Sequence, residues 1–104
     1  MSIHIHSEEE LLTCLNNYYV IIKFSAEWCG PCKVIEPFYN ELAKNNPNVC
    51  FLSIDVDECE NIAQYYNVTG MPTFVGVANK QEIGRFAGAV KDKLESLLMK
   101  VKQI

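Results

Sequence analysis

The chain has 104 residues, a net charge of −4 and an apolar fraction of 49%. This length fits one compact domain spanning residues 1–104, which can bury a hydrophobic core without disulfide staples. The acidic residues are dispersed, which argues against nucleic acid or an anionic membrane surface as a partner. No apolar run reaches the roughly 18 residues that a membrane-spanning helix needs, so we expect no membrane span.

The N-terminal residues and the cysteines indicate the cellular compartment. Residues 1–6 do not show the basic segment and following apolar segment that mark a secretory or transit signal. The number of cysteines is odd, and their spread does not resemble a secreted disulfide framework. They are Cys14, Cys29, Cys32, Cys50 and Cys59. We therefore expect a cytoplasmic protein.

The pattern of apolar residues predicts alternating helices and strands in the first part of the chain. Ser7 and Glu10 form a capping box, which predicts the start of a helix with three acids in its first turn. Strands are predicted over residues 20–24 and 49–55, and helices over residues 32–46 and 57–66.

Two further strands and a helix complete the predicted fold. Residues 73–78 and 82–87 are typical of strands, and Asn79-Lys80 is typical of a hairpin turn between them. The last helix is amphipathic, since Leu94, Leu97, Leu98 and Val101 follow the spacing i, i+3, i+4, i+7. Together these elements predict an α/β fold, with a mixed central β-sheet sandwiched between helices.

The sequence Trp28-Cys29-Gly30-Pro31-Cys32 lies where a predicted strand ends and a predicted helix begins. Two thiols separated by two residues can close a small disulfide and reopen it without unfolding the chain, which indicates a redox site. Unpaired backbone N–H groups and the helix dipole favour a thiolate at a helix start. We therefore predict Cys29, at an exposed helix start, as the attacking thiol and Cys32 as the resolving thiol.

Metal binding is the alternative interpretation of these residues. A C-x-x-C spacing also occurs in zinc sites, but the sequence has no second C-x-x-C and no H-x-x-x-H to supply two further ligands. We interpret His4 and His6 as residues of a partly exposed edge strand rather than as metal ligands. We expect no bound metal and no other cofactor.

Several motifs of the chain resemble the thioredoxin family in order and spacing. The sequence from Trp28 to Lys33 is followed about forty residues later by Met71-Pro72-Thr73-Phe74, and this combination is highly specific. Further matching residues are Phe24, Ala26, Glu27, Pro37, Asp55-Val56-Asp57 and Phe86-Ala87-Gly88-Ala89. The resemblance covers essentially the whole chain, is closer to eukaryotic than to bacterial thioredoxins, and implies a thioredoxin fold.

The resemblance also implies the function. It implies a thiol–disulfide oxidoreductase that reduces disulfides in proteins and is re-reduced by an NADPH-dependent thioredoxin reductase. Gly30-Pro31 between the cysteines is the dipeptide of the reducing relatives, whereas isomerases and oxidases carry a His in place of the Pro. Substrates implied by the family are oxidised proteins such as peroxiredoxins or ribonucleotide reductase, and we expect a monomer.

A shallow, largely apolar substrate-binding surface around Cys29 is implied as well. In the family the bond that corresponds to Met71–Pro72 is cis and presents the backbone of Met71 to an extended substrate segment. Gly88, which lacks a side chain, would let the backbone of a partner approach. The implied surface consists of Trp28, Gly30, Pro31, Met71, Pro72 and Gly88.

One departure from the family pattern bears on the chemistry. The family usually carries a buried Asp where this chain has Lys23, and that Asp is thought to relay a proton from the resolving thiol. If Lys23 points inward, burial lowers its pKa, and it would tune the thiols either as a neutral proton acceptor or as a cation that stabilises a thiolate. The alternative is a side chain that reaches solvent, with water carrying the proton.

Two other functions stay open on the sequence. A disulfide oxidase or isomerase is one, because a charged Lys23 would stabilise the thiolate and raise the redox potential. A binding or scaffold subunit is the other, because an intact cysteine pair does not exclude it. Of the remaining cysteines, Cys14 and Cys50 are predicted core residues, and Cys59 a partly buried, inert thiol.

Overall fold

The computed structural model describes residues 2–104, in which five strands and four helices are formed. In chain order they are β1 (Ile3–Ile5), α1 (Glu8–Cys14), β2 (Tyr19–Ser25), α2 (Gly30–Asn45), β3 (Cys50–Asp55), α3 (Glu60–Tyr65), β4 (Thr73–Ala78), β5 (Gln81–Ala87) and α4 (Lys91–Lys102). The predicted order of elements is confirmed. Apart from the start of α3, the predicted boundaries differ from these by at most two residues.

One mixed sheet with the strand order β1-β3-β2-β4-β5 forms the centre of the molecule. The strands β1, β3 and β2 are parallel to one another, whereas β4 is antiparallel to β2 and to β5. Helices α1 and α3 cover one face of the sheet, and α2 and α4 cover the other. None of the helices within residues 2–104 is long and apolar enough to cross a membrane.

The central strand β2 is buried on both faces. Val20, Ile22 and Phe24 are fully buried in the core under α1 and α3, while Ile21 is fully buried in the core under α2 and α4. Successive side chains of a strand point to opposite faces of a sheet. Lys23 therefore points to the same side as Ile21, toward α2.

The sheet topology brings three loops together at one edge. Phe24 near the end of β2 pairs with Thr73 at the start of β4, and Thr73 pairs with Ala87 at the end of β5. The loop after β2, the loop before β4 and the loop after β5 are therefore neighbours. These loops carry the cysteine motif, Met71–Pro72 and Gly88, respectively.

Helix α3 begins at Glu60, three residues later than predicted. The carboxylate of Asp55 accepts hydrogen bonds from the backbone N–H groups of Asp57 at 2.8 Å and Glu58 at 3.2 Å. Such a bond from an Asp side chain to the backbone two residues on closes a turn that competes with helix formation. This turn holds the residues after β3 outside the helix.

Two local predictions concern helix α1 and the hairpin. Ser7 Oγ accepts a hydrogen bond from the backbone N–H of Glu10 at 3.2 Å, as the capping box predicted, although the Glu10 carboxylate accepts from the N–H of His6 at 2.7 Å rather than from that of Ser7. In the β4–β5 turn, Asn79 and Lys80 both have positive φ, at 51° and 66°. Two consecutive left-handed residues match the twist of a two-residue hairpin.

Candidate functional site

Cys29 and Cys32 form a disulfide at the start of α2, with their Cα atoms 5.3 Å apart. Cys29 is the N-cap residue of the helix and has an extended backbone, with φ −90° and ψ 106°. Its sulfur accepts a hydrogen bond from the backbone N–H of Cys32 at 3.2 Å. Pro31 lies in the first turn, where a helix tolerates a residue without an N–H.

The expectation that Cys29 is exposed is wrong for this disulfide form. Cys29 is 4% and Cys32 is 3% exposed, and both belong to the core under α1 and α3. Met71 packs against the same core. The two cysteines therefore differ in their position at the helix start and not in their exposure.

Trp28 stands out beside the buried disulfide because 69% of its surface is exposed. Its indole N–H donates a hydrogen bond to a carboxylate oxygen of Asp57 at 2.9 Å. This contact joins the cysteine loop to the turn after β3 and orients the ring next to Cys29. Asp57 was not among the predicted site residues, although it belongs to the Asp55-Val56-Asp57 motif that matches the thioredoxin family.

The loops before β4 and after β5 complete the surface. The Met71–Pro72 peptide bond is cis, as the family resemblance implied. The backbone N–H of Gly88 donates to the Pro72 carbonyl at 2.8 Å, and Gly88 has φ +108°, a conformation that side chains with a Cβ rarely adopt.

The six predicted surface residues lie on these neighbouring loops but differ in exposure. Trp28, Gly30 and Pro31 are exposed, and Met71 and Gly88 are half-buried. Pro72 is buried, because its carbonyl is held by Gly88 and it leads directly into the buried strand β4. Pro72 therefore shapes the loop rather than offering a side-chain surface.

Lys23 points inward and is only 3% exposed. Its side-chain nitrogen lies 3.7 Å from a carboxylate oxygen of Glu36 and 5.0 Å from the centre of the Tyr39 ring. Burial lowers the pKa of Lys23, and the neighbouring Glu36 carboxylate opposes that shift. The sequence did not predict Glu36 as a partner, although it lies one helical turn after Cys32 on α2.

Of the other cysteines, Cys59 follows β3 at this same edge of the sheet, whereas Cys14 ends α1 and Cys50 begins β3. Cys59 is buried rather than partly buried as predicted, and burial together with the Glu58 and Asp55 carboxylates raises its pKa. Cys14 and Cys50 are only half-buried, because they pack at the margin of the core rather than within it. The raised pKa of Cys59 keeps its thiol protonated and slow to react.

His4 lies on an edge strand of the sheet, as predicted, whereas His6 follows that strand and is not part of it. Strand β1, which contains His4, is an edge strand, and the ring of His6 lies 3.1 Å from a carboxylate oxygen of Glu58. This carboxylate raises the pKa of His6. Within residues 2–104 there is no group of three or more His, Cys, Asp or Glu side chains that could hold a metal ion.

Comparison with known proteins gives consistent matches. The thioredoxin family model matches residues 2–100. Human thioredoxin is 43% identical over 90 residues, which cover 86% of each chain. The X-ray structure of Fasciola hepatica thioredoxin superposes with a TM-score of 0.91 at 37% identity, covering 94% of this chain and 97% of that one.

A further structural match comes from work on a peroxiredoxin. This work concerns the structural basis of the thiol resolving mechanism in yeast mitochondrial 1-Cys peroxiredoxin via glutathione/thioredoxin systems. The matching chain has a TM-score of 0.89 at 35% identity, and the match covers 94% of this chain and 93% of that one. With the Cys29–Cys32 disulfide, these similarities show a thiol–disulfide oxidoreductase. The fold is the thioredoxin fold, and the protein belongs to the thioredoxin family.

Proposed function

We propose that the protein reduces disulfides in other proteins, with Cys29 as the attacking thiol and Cys32 as the resolving thiol. The observation that carries this proposal is the position of Cys29 as the N-cap of α2, where its sulfur accepts the backbone N–H of Cys32 at 3.2 Å. A backbone donor and the positive end of the helix dipole both stabilise a thiolate relative to a thiol.

The reaction then takes two exchange steps. The Cys29 thiolate attacks one sulfur of a substrate disulfide, which forms a mixed disulfide and releases the other substrate sulfur as a thiolate. Cys32 loses its proton and attacks the Cys29 sulfur, which closes the Cys29–Cys32 disulfide and releases the second substrate sulfur. Two electrons pass to the substrate, and the oxidised domain has the structure described above.

The protein would recognise its substrate through hydrogen bonds between the two backbones and through apolar contacts around the disulfide. Trp28 offers an exposed ring, and Met71 offers a half-buried side chain and its backbone beside the disulfide. A Cβ at Gly88 would be in van der Waals contact with Val90 Cγ2 at 3.8 Å, so the absence of a side chain here leaves the backbone accessible to a partner backbone. A surface of this kind selects an extended segment without demanding one sequence.

We propose that Lys23, which points from β2 toward α2, is a positioning residue that affects the rates of these two exchange steps. The Glu36 carboxylate and the Tyr39 ring both favour the ammonium form of Lys23 and hold it close to α2. Residues four apart on a helix share a face, so this ammonium is held on the face of α2 that carries Cys32. A cation there would favour the Cys32 thiolate in the resolving step.

The remaining parts of the proposal concern the oligomeric state, the partners and the cellular location of the protein. We propose that the chain acts as one domain over residues 1–104, as a monomer, and that an NADPH-dependent thioredoxin reductase re-reduces it. Oxidised proteins such as peroxiredoxins are proposed substrates, supported by the yeast peroxiredoxin work among the similar structures. We place it in the cytoplasm, since a reducing compartment would keep the free thiols of Cys14, Cys50 and Cys59 reduced.

The redox potential of the Cys29–Cys32 pair tests the direction of the reaction. The protein is equilibrated with glutathione buffers of graded ratio, and the oxidised fraction is measured by alkylation and mass spectrometry. We expect a reducing potential near the roughly −270 mV typical of thioredoxins. A potential near about −120 mV, in the range of strong oxidants, would contradict the reductase and favour the oxidase alternative. An insulin reduction rate no higher than the uncatalysed rate would favour the scaffold alternative.

A further inference from the structure

His6 links the start of helix α1 to the turn that follows strand β3. Its ring nitrogen Nδ1 lies 3.1 Å from a carboxylate oxygen of Glu58. The backbone N–H of the same residue donates to the Glu10 carboxylate at 2.7 Å. His6 therefore bridges a carboxylate of α1 and a carboxylate of the turn after β3. Its side chain is 59% exposed, so the ring can exchange protons with solvent.

The turn that His6 contacts also carries the hydrogen-bond partner of Trp28. The Asp55 carboxylate accepts the backbone N–H groups of Asp57 and Glu58, so these two residues belong to one hydrogen-bonded turn. The Asp57 carboxylate accepts from the indole N–H of Trp28 at 2.9 Å. Adjacent residues of a single turn thus contact the exposed ring of the substrate-binding surface on one side and His6 on the other.

The charged groups that face His6 are acidic. Among the described residues that line the same cleft, which come from α1, from the turn after β3 and from the start of α3, His6 is the only one that can carry a positive charge. Together with the partner of its backbone N–H, the acids around it are Glu8, Glu9, Glu10, Asp57, Glu58 and Glu60. The thiol of Cys59 also lines this cleft, and its raised pKa keeps it neutral. These surroundings favour the protonated form of His6.

The protonation state of His6 decides the strength of its contact with Glu58. A protonated imidazole forms an ion pair with the carboxylate, whereas a neutral ring can keep only a weaker hydrogen bond from an uncharged donor. The hydrogen bond to Glu58 and the charge of that carboxylate raise the pKa of His6 above its ordinary value of 6.5 in the folded protein. The ion pair is thus fully formed below the ordinary value and is lost as the pH rises through the folded pKa.

We propose that His6 and Glu58 form a pH-sensitive latch, which restricts the motion of Trp28 when His6 is protonated. The charged pair ties Glu58 to the start of α1 and so holds the turn of residues 55–58 in place. The Asp57 carboxylate then keeps its hydrogen bond to the indole. At higher pH the ion pair is lost, and the turn and the ring become more mobile together. His6 is a positioning residue, since it acts on Trp28 through the turn.

The effect of the latch on catalysis rests on the proposed reductase function, whereas its effect on Trp28 does not. A ring that is already held in place loses less freedom when a substrate binds. Protonation of His6 should therefore speed substrate reduction relative to a protein without the latch. The gain should be no more than a few-fold, because solvent-exposed ion pairs are weak.

The first test is the time-resolved fluorescence anisotropy of Trp28, measured in the oxidised protein between about pH 5.5 and 8.5, where histidines titrate. Trp28 is the only tryptophan of the chain, and in the disulfide form neither Cys29 nor Cys32 titrates. Time resolution separates motion of the ring from changes in its fluorescence lifetime. We expect a less mobile ring at low pH and one transition with its midpoint above 6.5, the ordinary pKa of histidine.

Variants of exposed residues show whether the latch causes this transition. His6→Gln and Glu58→Gln should each abolish it and leave the ring as mobile at low pH as it is in the wild type at high pH. His4→Gln is the matched control, because it removes the other histidine of the chain, which is exposed on β1, and it should keep the transition. The proposal is overturned if the wild-type anisotropy does not change over this range, if the transition persists in His6→Gln or Glu58→Gln, or if His4→Gln abolishes it.

The second test compares insulin reduction by the wild type and by His6→Gln over the same pH range. The ratio of the two rates cancels the effect of pH on the thiols, which both proteins share. This ratio should be above one, by up to a few-fold, at low pH and should approach one at high pH. A ratio that does not change with pH would overturn the role of the latch in reduction. If neither protein reduces insulin, the reductase proposal fails, and the anisotropy still decides whether the latch exists.

Discussion

Lys23 and Glu36 form an ion pair that runs from the interior to the surface, with 3.7 Å between the Lys23 nitrogen and a Glu36 carboxylate oxygen. The Lys23 side chain is 4% exposed, whereas that of Glu36 is 55% exposed. A buried ammonium is costly unless it is paired, and a half-exposed carboxylate is an inexpensive partner because it keeps much of its hydration. The pair lets the chain keep a cation at a position where the family usually has a buried Asp.

The first prediction concerns catalysis by this pair. Lys23→Met should slow the resolution of the mixed disulfide several-fold, because a cation near a thiolate is worth roughly 1 kcal/mol or more in a partly screened site. The measurement is the single-turnover rate of mixed-disulfide resolution, together with thiolate absorbance as a function of pH. Lys23→Asp should restore a proton acceptor but not the stabilised thiolate.

Glu36→Gln provides the matched control for this prediction. It keeps the shape of the partner and removes the charge that opposes the lowered pKa of Lys23. Its effect on the rate should therefore be smaller than that of Lys23→Met. Unchanged resolution and unchanged thiolate titration in Lys23→Met would show that Lys23 has no part in the chemistry.

The second prediction concerns stability and pH. Because the folded protein lowers the pKa of Lys23 below its ordinary value of 10.5, the unfolded chain binds the proton more strongly. The contribution of Lys23 to the free energy of unfolding should then rise as the pH increases from the folded pKa toward 10.5, and it should be flat below the folded pKa. Urea unfolding of the wild type and of Lys23→Met between pH 7 and about 10.5 tests this, and parallel curves would contradict it.

The third prediction assigns the roles of the two cysteines. Cys29→Ser and Cys32→Ser should both be inactive in insulin reduction, but only Cys32→Ser should accumulate a stable mixed disulfide, because the N-cap sulfur forms it and the second thiol resolves it. Non-reducing mass spectrometry with an oxidised substrate makes the measurement. A complex trapped through Cys32 in the Cys29→Ser protein would reverse the assignment.

The fourth prediction concerns the contact between Trp28 and Asp57. Asp57→Ala removes the acceptor of the indole N–H, which lies at 2.9 Å, so the Trp28 ring should become more mobile. Trp28 is the only tryptophan of the chain, and its fluorescence anisotropy reports this motion directly. Because the contact is exposed, the loss of stability should stay below about 1 kcal/mol. Asp57→Asn keeps an acceptor oxygen and should keep the anisotropy near that of the wild type.

The fifth prediction tests the packing of α4 on the sheet. A Cβ at Gly76 would lie 2.6 Å from Val101 Cγ2 and 2.9 Å from Leu97 Cδ1, both in the buried core. Gly76→Ala should therefore lower the free energy of unfolding by about 1–3 kcal/mol. Gly84→Ala is the control, since its nearest contacts are 3.4 Å away, and it should change stability less in the same urea titration.

Much of the fold followed from the sequence because its signals are local. The two-residue turn at Asn79-Lys80 and the apolar spacing of α4 predicted the hairpin and the last helix correctly. The start of α3 was predicted too early, because the apolar pattern does not show that the Asp55 carboxylate accepts two backbone N–H groups. A side chain that competes with the helix for the backbone was the deciding interaction.

The disulfide between Cys29 and Cys32 was predictable, since spacing and a helix start are properties of neighbouring residues. Their burial, the bond from Trp28 to Asp57 and the pairing of Lys23 with Glu36 were not, because each depends on distant segments brought together by the sheet. Sequence alone thus determined which chemical groups the site contains, whereas tertiary packing decided their exposure, partners and pKa values, because these depend on what surrounds each group in space.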